Sequence, residues 1–447
     1  MDFIQACREF VAIDSTPSQG SYKAAEFAAK FCEDLGLHVE RQIESSPMGE
    51  EMNLIIRTSE DRQGFEFLLQ GHLDTVDPGP YHSWGKTGLN PFDASIIENK
   101  IFGLGTADVK LDFLIKAKAL SEFKNIKTFK LPPVLVATYG EESGMLGALK
   151  LIRKNKISPK YALIGEPTNL SVVNASKGFV SVEIQIPFSD SEIAYRNEHN
   201  LRESTSTQSK VFHGKSAHSS TPHLGQSAIT KMLDYLEFLP DSVAIMEIDG
   251  GNNYNTVPSH AFLELDLTPI MNPINAKIIG IYKAIKKLED EFNQYKDDSF
   301  NPPMPTLNIG LIRTFQDHIL FSGSGRILPT IPQETFDKWM SFLKLSCENN
   351  DSLFRITDYK KPFKTNDSSI LIKGACNILK ELNLKSEPTS LSSTNEVSLF
   401  SRMGIECLCF GPGLRDGNIH TPNEHVSIED LDKAALFYKK MIERFCV

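Results

Sequence analysis

The 447-residue chain lacks any apolar run approaching the roughly 18 residues of a spanning helix, which excludes a helical membrane protein. It lacks a basic excess as well: 47 Lys and Arg stand against 57 Asp and Glu, a formal net charge of −10. Nucleic acid is bound by displacing counterions with a basic footprint, and anionic lipid is docked in the same way. Neither partner is therefore expected. Cysteine is sparse and unpaired in pattern: Cys7, Cys32, Cys347, Cys376, Cys407, Cys409 and Cys446 form no CxxC. That argues against a disulfide framework or a thiolate zinc site and predicts a reducing, cytoplasmic setting. The opening MDFIQACREFVAI has no basic n-region and carries Asp2 and Glu9, so it predicts an amphipathic helix rather than a secretory signal.

What is present is ordinary globular composition, 40% hydrophobic and 23% charged, with the length of two or three domains. Helical and strand patterns alternate in the first third. Helices are predicted at 24–35, 111–123 and 147–154, and short apolar strands at 65–69, 134–138 and 161–164. Such strands, separated by helices, imply an α/β domain whose central sheet has substantial parallel character. Near Lys177-Gly178 the pattern changes. Val180 to Ile186 alternates at period two, the polar stretch 189–210 reads as a surface loop, and 227–239 as a helix. Two hairpin-like pairs fall near 243–267 and 305–327, with a charged helix at 276–295 between them. A helix at 334–345 and a strand at 353–359 close this region. The opening pattern then returns, with helices at 369–382 and 428–445 and a strand at 406–410. The expected organisation is one α/β domain, 1–177 and 363–447, interrupted by an α+β insert over 178–362.

Ligands in open α/β sheets sit beyond the carboxyl ends of the strands. Here those ends share a chemistry. FEFLL runs into Gln70-Gly71-His72-Leu73-Asp74, VLVAT into Tyr139-Gly140-Glu141-Glu142, and YALI into Gly165-Glu166. ECLCF is followed by Gly411-Pro412-Gly413 and then His420, and Asp108 lies at a loop-to-helix junction in GLGTADVK. Each alone is a weak signal: an acidic pair after a strand is usually a solvated turn, and an Asp before a helix is usually its cap. Together, His72, Asp108, Glu142, Glu166 and His420 match in number and type what two divalent ions need: an imidazole each, a terminal carboxylate each and one bridge. His72 and Asp74, two apart on an extended backbone, point the same way, so Asp74 can orient the imidazole.

The ordered motifs GHLDTV, GLGTADVK, YGEESG, IGEPT and HTPNEH, with HGKSAHSSTPHLGQSAI between them, resemble the M20 family of metallopeptidases over nearly the whole chain. The closer resemblance is to its acetylornithine deacetylase and succinyl-diaminopimelate desuccinylase group. The resemblance implies a zinc-peptidase-like catalytic domain interrupted by a lid, which in many relatives also forms a homodimer. It implies two divalent metal ions, zinc first and cobalt or manganese as alternatives. His72 and His420 would bind one each, Asp108 would bridge them next to a cis peptide to Val109, and Glu142 and Glu166 would be terminal ligands. Asp74 would orient His72, and Glu141 would be the general base. His218 of the lid would help stabilise the oxyanion, and Asn255 and Arg326 would contact a small-molecule N-acyl amino acid. An alternative for Arg326 is a surface arginine on a strand. The activity implied is amide hydrolysis, with acetylornithine-type deacetylation first. Desuccinylation, carboxypeptidase or dipeptidase activity is the alternative, and an inactive binding protein on the same fold is the non-enzyme alternative. The complete set of competent residues argues against the last. Gly103-x-Gly105 lacks the third glycine of a dinucleotide fingerprint, Asp108 standing there instead. Two departures stand out: Lys110 is followed by Leu111-Asp112 where relatives often have glycines, and 392–395 (SSTN) lacks the aspartate of a GTSD-like stretch.

Overall fold

The computed structural model describes residues 2–46, 49–60, 64–198, 208–240, 243–269 and 274–447. They divide into two compact units: Met1–Ala175 with Phe363–Ser390 and Asn395–Val447, and Ser176–Pro362 with Leu391–Thr394. No helix among the described residues is long and apolar enough to cross a membrane.

The first unit is built on a mixed sheet. Its centre is four parallel strands in the order Pro133–Thr138, Glu66–His72, Pro159–Gly165, Glu406–Phe410. Leu68 lies opposite Val134 on one side and Ala162 on the other, and Leu163 lies opposite Leu408. Both faces of these strands are buried, which is why their sequences are continuous apolar runs rather than alternating ones. Because they are parallel, all four carboxyl ends emerge at one edge. An antiparallel hairpin, His38–Ser46 with Gly49–Arg57, flanks them through pairing of the second strand with Pro133–Thr138. This hairpin was not predicted, for a physical reason. In its outer strand the inward position is taken by Gln42, which accepts a hydrogen bond from Asn53, while Ile43 faces solvent. The hydrophobic alternation that signals a strand is absent there.

Helix Lys110–Ser121 is buried nearly all round and packs against the long helix Ile428–Cys446. Beneath the sheet, Phe437 stacks on Phe410 with centroids 3.9 Å apart. A small sheet pairs Lys100–Phe102 with His425–Ser427, bringing the segment that follows His420 alongside the turn that carries Asp108.

The second unit is a seven-stranded antiparallel sheet with helices Ala228–Leu236, Ile274–Phe292 and Gln333–Glu348. Strand Gly178–Pro187 pairs with both His318–Ile327 and Leu353–Lys360. The two hairpin-like pairs are strands 243–250 with 260–269 and 306–314 with 318–327. One expectation fails. Within 189–210, which reads as a loop, the structure has helix Asp190–Glu198 and the strand that begins at Gln208; residues 199–207 lie outside the described residues. The helix starts on a reciprocal cap. The Glu192 amide donates to Ser189 Oγ (3.2 Å) and the Ser189 amide donates to Glu192 Oε2 (3.1 Å), satisfying two end donors at once. Glu192 Oε1 also accepts from the Ile274 amide at 2.7 Å, tying the cap to the next long helix.

Phe437 is fully buried and stacked, so Phe437→Ala should lower stability by about 3–5 kcal/mol through lost burial and a residual cavity. Urea denaturation of the purified variant measures it; a loss below about 1 kcal/mol would show that this core relaxes freely.

Candidate active site

The common edge of the parallel strands gathers seven of the sequence-predicted residues in the first unit. His72, at the end of its strand, is 1% exposed. Its Nδ1 lies 3.1 Å from the backbone carbonyl of Asp74 and 3.6 Å from Asp74 Oδ1, and its Nε2 lies 3.2 Å from Asp108 Oδ1. The imidazole is thus anchored on one nitrogen with the other turned towards Asp108, the arrangement a metal-binding histidine needs. Asp74 also works on the neighbouring strand end. Its two carboxylate oxygens accept the amides of Glu141 and Glu142, each at 3.0 Å. One carboxylate therefore sets the position of the acidic pair while lying beside the imidazole.

Asp108 sits between the two histidines. Its Oδ2 is 3.2 Å from His420 Nε2, which is also 3.0 Å from Glu142 Oε1. The Asp108–Val109 peptide is cis, and His420 has a left-handed backbone with φ 55°. Among the described residues, two groups bring three ligand atoms within 4.8 Å of one another: His72, Glu141 and Glu142, and Asp108, Glu142 and His420. Glu166 is outside both, though buried on the same edge, and its Oε2 accepts from Arg415 Nη1 at 3.3 Å.

The electrostatics follow from crowding. Burial, and then Glu142 beside it, pushes the Glu141 carboxyl well above the usual range. Burial, and then Asp108, raises Glu166 to about 7. Burial works against protonation of His420, but Glu142 and Asp108 outweigh it and hold the imidazole up at about 11. Burial would raise Asp108 too, yet its bonds to His420 and His72 hold it far below the usual range. Four carboxylates crowd two imidazoles and Arg415 at this edge, His72, Asp108 and Glu166 buried, Glu141 and Glu142 part-buried and His420 exposed, and bound cations would relieve the repulsion among the carboxylates. Nitrogen and oxygen donors in this proportion suit zinc, cobalt or manganese, so the donor set fits divalent ions.

Three residues that sequence reasoning missed support this edge. Glu424, 1% exposed, accepts the amides of Ala107 (2.9 Å) and Asp108 (3.1 Å) and so fixes the Asp108 turn. Glu396, also 1% exposed, accepts from Thr138 Oγ1 at 2.9 Å and from Gln70 Nε2. The stretch 392–395 has no carboxylate, and the residue directly after it supplies one. Arg415 is the third, a cation placed on Glu166. Glu424 lies in the HTPNEH motif and so had a signal; the other two had none.

The remaining predicted residues, His218, Asn255 and Arg326, belong to the second unit, where they gather around one another. Arg326 Nη2 donates to Asn255 Oδ1 (2.9 Å), which also accepts from Ser219 Oγ (2.6 Å). The Arg326 guanidinium lies over the Phe179 ring, 4.7 Å from its centroid, and the residue is only 3% exposed. Its reading as a surface arginine is therefore wrong: the strand turns it inward. His218, on the adjacent two-residue strand, is exposed, with Nδ1 2.7 Å from Ser220 Oγ.

Comparison with known proteins places the chain among relatives over nearly its whole length. The chain is 25% identical over 443 residues to an acetylornithine deacetylase of Aliivibrio salmonicida, covering 97% of this chain and 94% of that one. It is 33% identical over 228 residues, 51% of each chain, to an acetylornithine deacetylase of Pectobacterium carotovorum. The M20 family metallo-carboxypeptidase Sso-CP2 of Sulfolobus solfataricus superposes with a TM-score of 0.64 at 17% identity, covering 100% of this chain and 99% of that one, and shares the fold. The model of peptidase family M20/M25/M40 matches residues 68–444, and the chain belongs to that family.

Proposed function

We propose that this protein is a di-metal amidohydrolase that removes the acyl group from an N-acyl amino acid, as its relatives named acetylornithine deacetylase would imply. The observation that carries the reading is Asp108, buried with one oxygen 3.2 Å from His72 and the other 3.2 Å from His420. A carboxylate that offers one oxygen towards each of two imidazoles is what a bridging ligand requires. His72, Asp108, Glu142, Glu166 and His420 would hold two divalent ions, zinc first. Once bound, the ions supply Lewis acidity towards the amide carbonyl and a water acidified towards about pKa 7.

The protein's own groups do the rest. Glu141, fixed through its amide by Asp74, takes the proton of the attacking water and returns it to the leaving amine. Asp74 holds His72 and the acidic pair in register. In the second unit, Arg326, buried and held by Asn255, is the guanidinium that would pair with a substrate carboxylate, and exposed His218 suits a developing oxyanion.

Glu141→Ala should keep two equivalents of zinc and lose about 100- to 10,000-fold in kcat, the span of a general base. Near-normal turnover would overturn the assignment. His72→Ala and His420→Ala should each lower zinc stoichiometry measured by atomic emission; unchanged content would mean the ligand set is wrong. Zinc-loaded protein offered a panel of N-acetyl amino acids, N-succinyl amino acids and dipeptides should hydrolyse the N-acetyl compounds fastest, and turnover of dipeptides alone would replace deacylation by peptidase activity.

A further inference from the structure

Directly after Asp108, helix Lys110–Ser121 carries a second buried polar cluster that the chemistry above does not use. Asp112 is 1% exposed, and Lys116 and Tyr438 are fully buried. Lys116 pairs with Asp112 Oδ2 one helical turn away. The Tyr438 hydroxyl bonds Asp112 Oδ1 and lies 3.1 Å from the carbonyl oxygen of Phe410. Lys116 Nζ donates to the carbonyl of Gln70 at 2.7 Å.

The cluster lies where candidate ligand segments begin. Gln70 is two residues before His72. Phe410 ends the strand whose loop leads to His420. Gly165 stands immediately before Glu166, and a Cβ there would be 2.5 Å from both Asp112 Oδ2 and Lys116 Nζ. Only glycine lets that strand end close on the pair. Asp112 itself lies four residues after Asp108, in the first turn of the helix that follows the Asp108 turn. One ion pair thus touches the strand ends leading to His72 and Glu166, and its tyrosine reaches the one leading to His420.

Stability alone does not explain such a pair. Replacing a buried ion pair by apolar side chains of similar volume is often neutral or stabilising, because desolvation cancels the attraction. What apolar groups cannot reproduce is direction: a Lys116 bond aimed at one carbonyl oxygen, and a Tyr438 oxygen set between a carboxylate and another carbonyl. We propose that Asp112, Lys116 and Tyr438 are positioning residues that set the spacing of the metal-ligating strand ends, so that the buried pair serves metal affinity rather than fold stability. This rests on reading the edge as a metal site.

The test compares wild type, Asp112→Leu/Lys116→Met and Tyr438→Phe. Zinc affinity is measured by competition with a chromophoric chelator, and stability of the metal-free forms by urea. The double variant should be as stable as wild type or more so, yet bind zinc about 10-fold more weakly, in the range by which outer partners of metal ligands act. Tyr438→Phe should weaken zinc binding by a smaller factor. Wild-type affinity in both variants overturns the inference while leaving the metal site standing. A double variant that no longer folds without metal also overturns it, because the pair then serves stability. Wild type that binds no zinc overturns the metal-site reading, and this inference with it.

Discussion

The structure of the first unit depends on how much negative charge one buried edge can tolerate. Asp108, Glu141, Glu142 and Glu166 converge with two imidazoles and the Arg415 guanidinium among them, and the carboxyls answer by moving apart: Asp108 far down, Glu141 and Glu166 up. Such divergence is characteristic of sites that bind cations or move protons. The surroundings are arranged to hold the groups there nonetheless. Asp74 accepts two successive amides, Glu424 accepts two more, and both are carboxylates used as braces rather than as ligands.

Parallel strand pairing is what makes this crowding possible. Four strands that leave the sheet at the same edge deliver His72, the Glu141–Glu142 pair, Glu166 and the loop to His420 to one place. The buried faces below provide rigidity, so the polar ends are displayed on a fixed frame. The second unit is organised differently, as antiparallel strands with helices, and concentrates its own polar residues around Arg326.

Much of this was legible in the sequence, because motif residues at the ends of apolar strands carry both a position and a chemistry. The five candidate ligands and Glu141 each follow an apolar run or a glycine-rich turn, and the parallel strands that present them are continuous apolar segments. What escaped had no pattern to carry it. The hairpin at 38–57 hides behind an inward Gln42 and an outward Ile43. The helix at 190–198 announced itself only through Ser189 and Glu192, a capping signature inside an otherwise polar stretch. Glu396 and Arg415 are single charged residues without a spacing, and only tertiary contact gives them a role. Arg326 was placed in the right sequence neighbourhood, but its burial depends on strand orientation that period-two patterns over a few residues do not resolve.

The brace from Glu424 to the amide of Asp108 spans 316 residues of chain. Between its ends lies the whole second unit. During synthesis the N-terminal strands, His72 and Asp108 leave the ribosome long before Glu424 and His420 exist. The Asp108 turn must therefore wait, with its amides unsatisfied by that carboxylate, until nearly all of the chain has been made. The assembled edge of His72, Asp108 and His420 is then a property of the finished polypeptide, and a nascent chain stalled within the second unit would present only part of it.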